Sequence, residues 1–211
     1  MNRGKILDVW RGKIEAGATV KGGPGGPDYV LVTNRDKLGP KAAPEISALL
    51  PIGDANGLAL AAAKDRVWGP VPVIAGVCAT DPLRMMENFL QEMKAAGIVG
   101  VQNSPSVGMI DGSFRKTLEE TQFGYDREVR MIGLAVKLDL LSIALAFGPE
   151  DARKMAEAGA DVVVAHPGLE EPRLRAKRTA EIVAAARSAS KDVLVFGIGA
   201  EAEGLDGIQS E

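Results

Sequence analysis

Polar residues that directly follow short apolar runs are the candidates for chemistry in this sequence. Gln102 and Asn103 end the run IVGVQN, and a loop with Pro105, Gly108 and Gly112 separates them from a segment that opens at Ser113 and carries Glu119 and Glu120. Cys78 and Asp81 follow VPVIAGV, His166 and Gly168 follow DVVVA, and Asn34 ends PDYVLVTN. Amides can clamp the oxygens of a small substrate, and a buried amide left unpaired costs about 1–3 kcal/mol. A carboxylate such as Asp81 can hold a divalent metal or a water. Of Glu119 and Glu120, about 100° apart on a helix, only one can easily face a site, and Glu120 is the candidate general base. His166 is the only histidine, suited to acid–base work or to donating a hydrogen bond to an oxyanion.

Each of these residues also has a plainer role. Asp81 before Pro82 has the form of a helix N-cap with proline in the first turn. Gln102 and Asn103 can be satisfied by loop backbone, the glutamates can face solvent, and Asp111 beside Gly112 suits a turn. Cys78 has no second histidine to activate it and is expected to be a packed strand end. KGGPGG (21–26) lacks the lysine–serine ending of a nucleotide loop, and the prolines in and after it remove backbone donors.

The elements that must position these residues alternate. VPVIAGV (71–77), IVGVQN (98–103), SIALAF (142–147), DVVVAHPG (161–168) and DVLVFGIG (192–199) read as strands buried on both faces, with PDYVLVTN (27–34) ahead of them. Between them lie amphipathic stretches. One helix is expected from Asp81, with Leu83, Met86, Phe89, Leu90 and Met93 on one face and Gly97 as its stop. Another is expected in YDREVRMIGLAVKL, with Val129, Ile132, Leu134, Val136 and Leu138 as its apolar set. Asp54 caps GDANGLALAAAKDR, Pro149 opens GPEDARKMAEAGA, and RGKILDVWRGKIEAG and RLRAKRTAEIVAAARSAS are helical. Such alternation means a parallel sheet with helical crossovers, either a closed (β/α)₈ barrel or an open doubly wound sheet. In both, ligands bind beyond the carboxyl ends of the strands, where the polar residues above stand.

Composition excludes several classes of function. With 46% hydrophobic and 25% charged residues and a net charge of −3, the 211-residue chain shows no bias toward nucleic acid or an anionic membrane. One cysteine and one histidine assemble neither a disulfide framework nor the usual zinc sets. With a charged N-terminus and no run of about 18 apolar residues, a cytoplasmic location is expected.

Four stretches carry a resemblance to a known family: LLPIGDAN (49–56), PVIAGVCATDPLR (72–84), GIVGVQNSPSVGMIDGSFRKTLEETQFGYDREVRMI (97–132) and EDARKMAEAGADVVVAHPGL (150–169). From residue 49 to 168 the chain resembles the phosphoenolpyruvate hydrolase-like TIM-barrel proteins, related in fold to the phosphoenolpyruvate mutase and isocitrate lyase group. The resemblance implies one (β/α)₈ TIM-barrel domain over 1–211 with its site at the carboxyl face, and chemistry on 2-oxo acids or phosphoenolpyruvate-like compounds with a divalent metal, Mg²⁺ or Mn²⁺. The ends depart from the family pattern. KGGPGGPDYVLV replaces a glycine-rich strand end and the helix after it, so a tight connection is expected there. TNRDKLGPKAAPEISALLP has lost glycines and basic residues, DVLVFGIGAEAEGLDGIQSE runs almost directly into a remnant of an eighth strand, and Ser104 and Pro167 stand where an aromatic and a Met are usual.

Two functions follow as expectations. One is a metal-assisted hydrolase or lyase acting on a small anionic substrate, with Asp81 as metal or water ligand, His166 and Glu120 as acid–base groups, and Asn34, Gln102, Asn103 and Gly168 on the substrate. The other is a catalytically degenerate barrel used for ligand sensing or protein interaction. A shortened barrel is also expected to expose an edge or apolar side chains near Val30 and Val195, and therefore to form a homo-oligomer.

Overall fold

The computed structural model describes residues 1–23, 25–33, 44–50, 53–65, 69–168, 172–198 and 204–209. Eight parallel strands close on themselves in chain order: β1 Val20–Gly23, β2 Tyr29–Val32, β3 Val73–Gly76, β4 Gly100–Gln102, β5 Leu141–Ala146, β6 Val162–Ala165, β7 Leu194–Ile198 and β8 Gly207–Gln209. β8 pairs with both β7 and β1, so the barrel has no open edge. Among the described strands no edge is exposed, and of the two valines expected near one, Val195 is fully buried and Val30 partly so. Helices α3 Ala55–Asp65, α4 Met86–Ala95, α6 Tyr125–Lys137, α7 Pro149–Glu157 and α8 Pro172–Ala189 fill the crossovers, with α2 Pro44–Leu49 and α5 Gly112–Glu120 as additions on the β2–α3 and β4–α6 connections. The architecture is a (β/α)₈ TIM barrel.

The first and last units are shortened. No described helix separates β1 from β2 or β7 from β8. Parallel neighbours ordinarily need a crossover of a dozen or more residues; here β2 starts at Tyr29, close after the end of β1 at Gly23. β2 begins level with the end of β1, pairing only Gly22 with Tyr29 and Gly23 with Val30. Asp28 closes the connection: its N–H donates to the Lys21 carbonyl at 3.0 Å, and its carboxylate accepts from the Lys21 N–H at 2.6 Å. Glycine is required by crowding, since a Cβ on Gly26 would stand 2.5 Å from the Gly22 Cα. The segment KGGPGG therefore supplies both the end of the first strand and the tight connection.

Helix α1 Arg3–Glu15 crosses the opposite end of the barrel and closes it. Its partners are residues that immediately precede strands. Arg3 donates to Asp161 at 2.8 Å, Arg11 to the Asp192 carbonyl, and Lys13 to Asp28 at 2.7 Å. Trp10 packs its ring 5.3 Å from that of Tyr29 and 5.7 Å from that of Phe196. β1 and β8 make room inside with glycines: a Cβ on Gly22 would overlap the Tyr29 ring, and one on Gly207 the Phe196 ring.

Two helices differ from their sequence patterns. α4 begins at Met86, so Asp81 is not its N-cap; Asp81 instead accepts the Leu83 N–H at 2.8 Å in a local turn, which leaves Leu83 exposed. Proline at 82 fits that turn as well as a helix start. On α6 the buried stripe is Tyr125, Glu128, Met131, Ile132 and Ala135, a different phase from the expected one and shared with it only at Ile132. Asp54 does cap α3, accepting the Gly57 N–H at 2.7 Å.

Candidate active site

Strand register decides which side chains enter the barrel. Gln102, Gln209 and Tyr29 hydrogen-bond one another across it: the Gln102 Nε2 donates to Gln209 Oε1 at 2.8 Å, and the Tyr29 hydroxyl donates to the same oxygen at 3.4 Å. These three therefore face inward, and alternation carries the inward face through Phe196 and Val164 to His166. His166 lies just past β6, its N–H still donating to the Ala146 carbonyl at 2.9 Å. The ring is half-buried at the carboxyl end of the barrel. Nδ1 accepts the Gly168 N–H at 3.1 Å, and the Phe147 ring lies 4.8 Å away. A neutral imidazole that accepts at Nδ1 carries its proton on Nε2. Gly168 has a φ of +75°, a conformation that favours glycine, and its role is to orient the histidine.

Arg178 reaches the same corner from α8, donating from Nε to the Phe147 carbonyl at 3.2 Å. It brings a guanidinium beside the residue that flanks His166. No sequence motif marks it, because RLRAKR is a run of basic residues on a helix and spacing does not say which one turns toward the strands.

Asn103, one residue on from Gln102, points the opposite way. Its Nδ2 donates to Glu128 on α6 at 2.6 Å and to the Leu145 carbonyl at 3.2 Å, while its Oδ1 accepts the Leu145 N–H at 2.7 Å. The side chain has no exposed surface. Asn103 is thus a fastener between β4, β5 and α6 and does not face a substrate. Gln102 is likewise fully buried and spent on Gln209. Both expected substrate clamps are structural, because every polar atom they carry has a partner within the fold.

Asp81 sits on the rim. Its Oδ2 accepts from Asn56 at 2.8 Å and from Arg84 at 2.9 Å, and its Oδ1 from the Leu83 N–H. Asn56, buried on α3, also binds the Cys78 carbonyl and N–H, which stitches the β3 end to the helix. Arg84 forks onto Asp54 at 2.7 Å, whose carboxyl it holds below the ordinary range. A cavity of about 150 Å³ opens at this corner, lined by Asp54, Cys78, Asp81 and Arg84 as well as by apolar residues such as Leu49 and Pro82. The donor set does not suit a cation: both Asp81 oxygens are engaged and a guanidinium already neutralises them. Among the described residues, no three His, Cys, Asp or Glu side chains are grouped to hold a metal ion. Burial pushes the Cys78 thiol up, as a packed strand end requires and a nucleophile does not.

Glu120 projects from α5 with its side chain 65% exposed, 3.7 Å from Lys116, away from the barrel. It is a solvated helix residue and not a base at this site. Asn34 lies outside the described residues. Of the expected site residues, the structure thus brings His166 and Gly168 together just past β6, holds Asp81 against Asn56 and Arg84 just past β3, and buries Gln102 and Asn103.

The acid that the sequence pattern misses is Glu128. It accepts from Asn103 and from the Ser106 hydroxyl at 2.6 Å each, and from the Val107 N–H at 2.7 Å. Burial nevertheless outweighs these three donors and pushes its carboxyl up to about 7. The signal was present: Glu128 falls on the buried stripe of α6, three residues after Tyr125 and three before Met131.

Comparison with known proteins shows the family. The profile of the family described as phosphoenolpyruvate hydrolase-like matches residues 14–207. The tomato (Solanum lycopersicum) ToMV resistance protein Tm-1(GCR237) and the ToMV susceptible protein tm-1(GCR26) are each 47% identical over 147 residues, 69% of this chain and 20% of theirs. The chain therefore spans about a fifth of the length of these relatives. Among solved structures, a Burkholderia cenocepacia J2315 protein described as a phosphonomutase is 17% identical, with a TM-score of 0.45 over 97% of this chain and 83% of that one. The YdjI aldolase of Escherichia coli K12 is 12% identical, with a TM-score of 0.38 over 98% and 80%. Similarity at that level carries nothing about chemistry.

Proposed function

We propose, for a chain that belongs to the phosphoenolpyruvate hydrolase-like family, an enzyme of the hydrolase or lyase type that acts on a small phosphorylated or 2-oxo acid at the carboxyl mouth of its barrel. The observation that carries this reading is His166: inward-facing, half-buried, and oriented by the Gly168 N–H. With Nδ1 accepting from Gly168, a neutral ring holds its proton on Nε2, the kind of donor that stabilises an enolate or phosphoryl oxygen on which charge develops. Arg178 supplies a positive charge for an anionic substrate. The metal-assisted form expected from the sequence finds no donor set at Asp81, and no step here passes through a metal.

Calorimetric titration with phosphoenolpyruvate, phosphonopyruvate and oxaloacetate, with and without magnesium or manganese, followed by an assay for pyruvate or phosphate, tests the proposal. Heat and turnover are expected, with turnover lost on the order of a hundredfold or more in His166→Gln, as when an oxyanion donor is removed. Binding without turnover, unchanged in His166→Gln, would instead support a ligand-sensing barrel. That second reading is favoured by Asp81, whose carboxylate is consumed by Asn56 and Arg84. Silence with all three compounds sinks both.

Self-association belongs to the same proposal. It rests now on Leu83 and Met85, 83% and 76% exposed on one rim loop, in place of a strand edge. A monomer in sedimentation at micromolar concentration removes it. No described helix is long and apolar enough to cross a membrane; a cytoplasmic location remains part of the proposal.

A further inference from the structure

We propose that Glu128 is the positioning residue of the barrel mouth: its carboxylate gathers the loop after β4, and proton uptake there loosens the turn against which Phe147, and through it His166, is seated. The inference rests on the reading of His166 as the functional group.

The chain of contacts is continuous. Glu128 Oε1 accepts the Val107 N–H, and Oε2 accepts both the Asn103 amide and the Ser106 hydroxyl. Ser106 in turn accepts the Gly108 N–H at 3.0 Å, closing a 3₁₀ turn over Val107–Met109. Gly108 lies against the Phe147 ring so closely that a Cβ would stand 2.0 Å from it. Phe147 contacts the His166 ring. Every donor on Glu128 comes from the loop or from its root at Asn103, so the one carboxylate sets where the turn stands.

The geometry also says where a proton can go. On Oε1 it would oppose the Val107 N–H, which cannot turn away. On Oε2 it can be accommodated, because Ser106 can rotate to accept it while still accepting from Gly108. The Glu128–Ser106 hydrogen bond then reverses direction and loses its charge assistance, so one of the loop's three ties is weakened. The proton comes from solvent and no bond other than hydrogen bonds is broken. Burial and the three donors oppose each other at this group and leave it to change state near neutral pH.

The charged and titratable neighbours are known from each side. Arg115 of α5 favours the carboxylate, and it also donates to the Val107 carbonyl at 2.9 Å and lies over the Tyr125 ring. Tyr125 of α6 donates its hydroxyl to the Leu145 carbonyl. Cys78 at the end of β3 is close enough to feel the Glu128 charge. Asp151 of α7, which accepts the Phe147 N–H, acts on Tyr125 and on Arg115. None of these supplies a full positive charge in contact with Glu128, so its loop donors are its direct support.

The single histidine makes the test clean, because one ring-proton resonance reports His166 alone. The intact chain is titrated by NMR from about pH 5 to about pH 9, across the ordinary histidine range, following the His166 ring proton and the Val107 and Gly108 amides. In the wild type, the Val107 amide is expected to move with a midpoint near neutral, and the His166 curve to show the same inflection beside its own. In Glu128→Gln the Val107 titration should vanish, and hydrogen exchange at Val107 and Gly108 should become about tenfold faster while Val163 in β6 is unchanged. A His166 curve and Val107 exchange identical to wild type in folded Glu128→Gln overturn the proposal. If that variant does not fold, Ser106→Ala keeps the carboxylate with two donors: an upward shift of the Val107 midpoint supports the inference, and an unchanged midpoint overturns it. Turnover enters none of these readouts, so loss of the catalytic reading and loss of this one are distinguishable.

Discussion

Glu128 and Asn103 are the side chains through which the site and the stability of this protein meet. Because the Glu128 carboxyl is raised in the folded chain from 4.5 to about 7, the protonated form is the one folding favours. The stability it confers is complete below about pH 4.5 and is lost as pH rises through about 7. The full swing is about 3 kcal/mol for this group alone. Denaturant unfolding near pH 5 and near pH 8 should show wild type losing stability across that window and Glu128→Gln losing much less. Asp151, also raised by burial, contributes in the same sense and remains in the variant. An equal loss in both proteins would place the effect elsewhere. Asn103→Ala is a second test at this scale. It strands the Leu145 N–H and takes from Glu128 Oε2 one of its two donors, and should cost about 1–3 kcal/mol by thermal or denaturant unfolding, whereas a merely substrate-facing amide would cost almost nothing.

The shortened first unit stands or falls on glycine. Alanine at Gly22 would put a methyl carbon 1.7 Å from the Tyr29 ring, inside the barrel, where the neighbouring Phe196 and Trp10 rings leave no retreat. We expect Gly22→Ala to cost about 1–3 kcal/mol or more. Gly12 is the control: it lies within α1, and a methyl group added there would meet open space. Gly12→Ala should stabilise by about 0.5–1 kcal/mol through helix propensity. Equal effects of the two substitutions in a melting experiment would refute the packing account of the connection. The helices teach a related point. The turn at Asp81 shows that an acid before proline announces a chain reversal, but not whether a helix follows at once or four residues later. On α6, an apolar set chosen by residue type missed the phase, because Tyr125 and Glu128 occupy buried positions and Val129, Leu134 and Val136 only partly buried ones.

Closure of the barrel is a property of the whole chain. β8 is three residues long, yet it pairs on both sides, and without it β1 and β7 would each show a bare edge. α1 closes the end opposite the site, reaching residues before β2, β6 and β7 through Lys13, Arg3 and Arg11. Trp10 is the centre of that floor. Trp10→Ala should cost about 3–5 kcal/mol and should lower the midpoint of one cooperative transition, seen alike by far-UV circular dichroism and by tyrosine fluorescence. Separate transitions for the two probes would mean that α1 is an appendage and not part of the barrel.

Apolar runs buried on both faces, alternating with amphipathic stretches, were enough to specify a parallel sheet with helical crossovers and the end of it at which polar residues gather; its closure into a barrel came from the family resemblance and from the pairing of β8 with β1. That pattern is local, since burial on two faces leaves no alternation to read and a crossover helix must show one apolar stripe. The direction in which each polar side chain points was not local. Gln102 and Asn103 are neighbours on one strand and turn to opposite sides of the wall, and Glu128 answers to a loop some twenty residues earlier. A partner supplied by a different element leaves no mark in the spacing of either residue, so those assignments waited on packing.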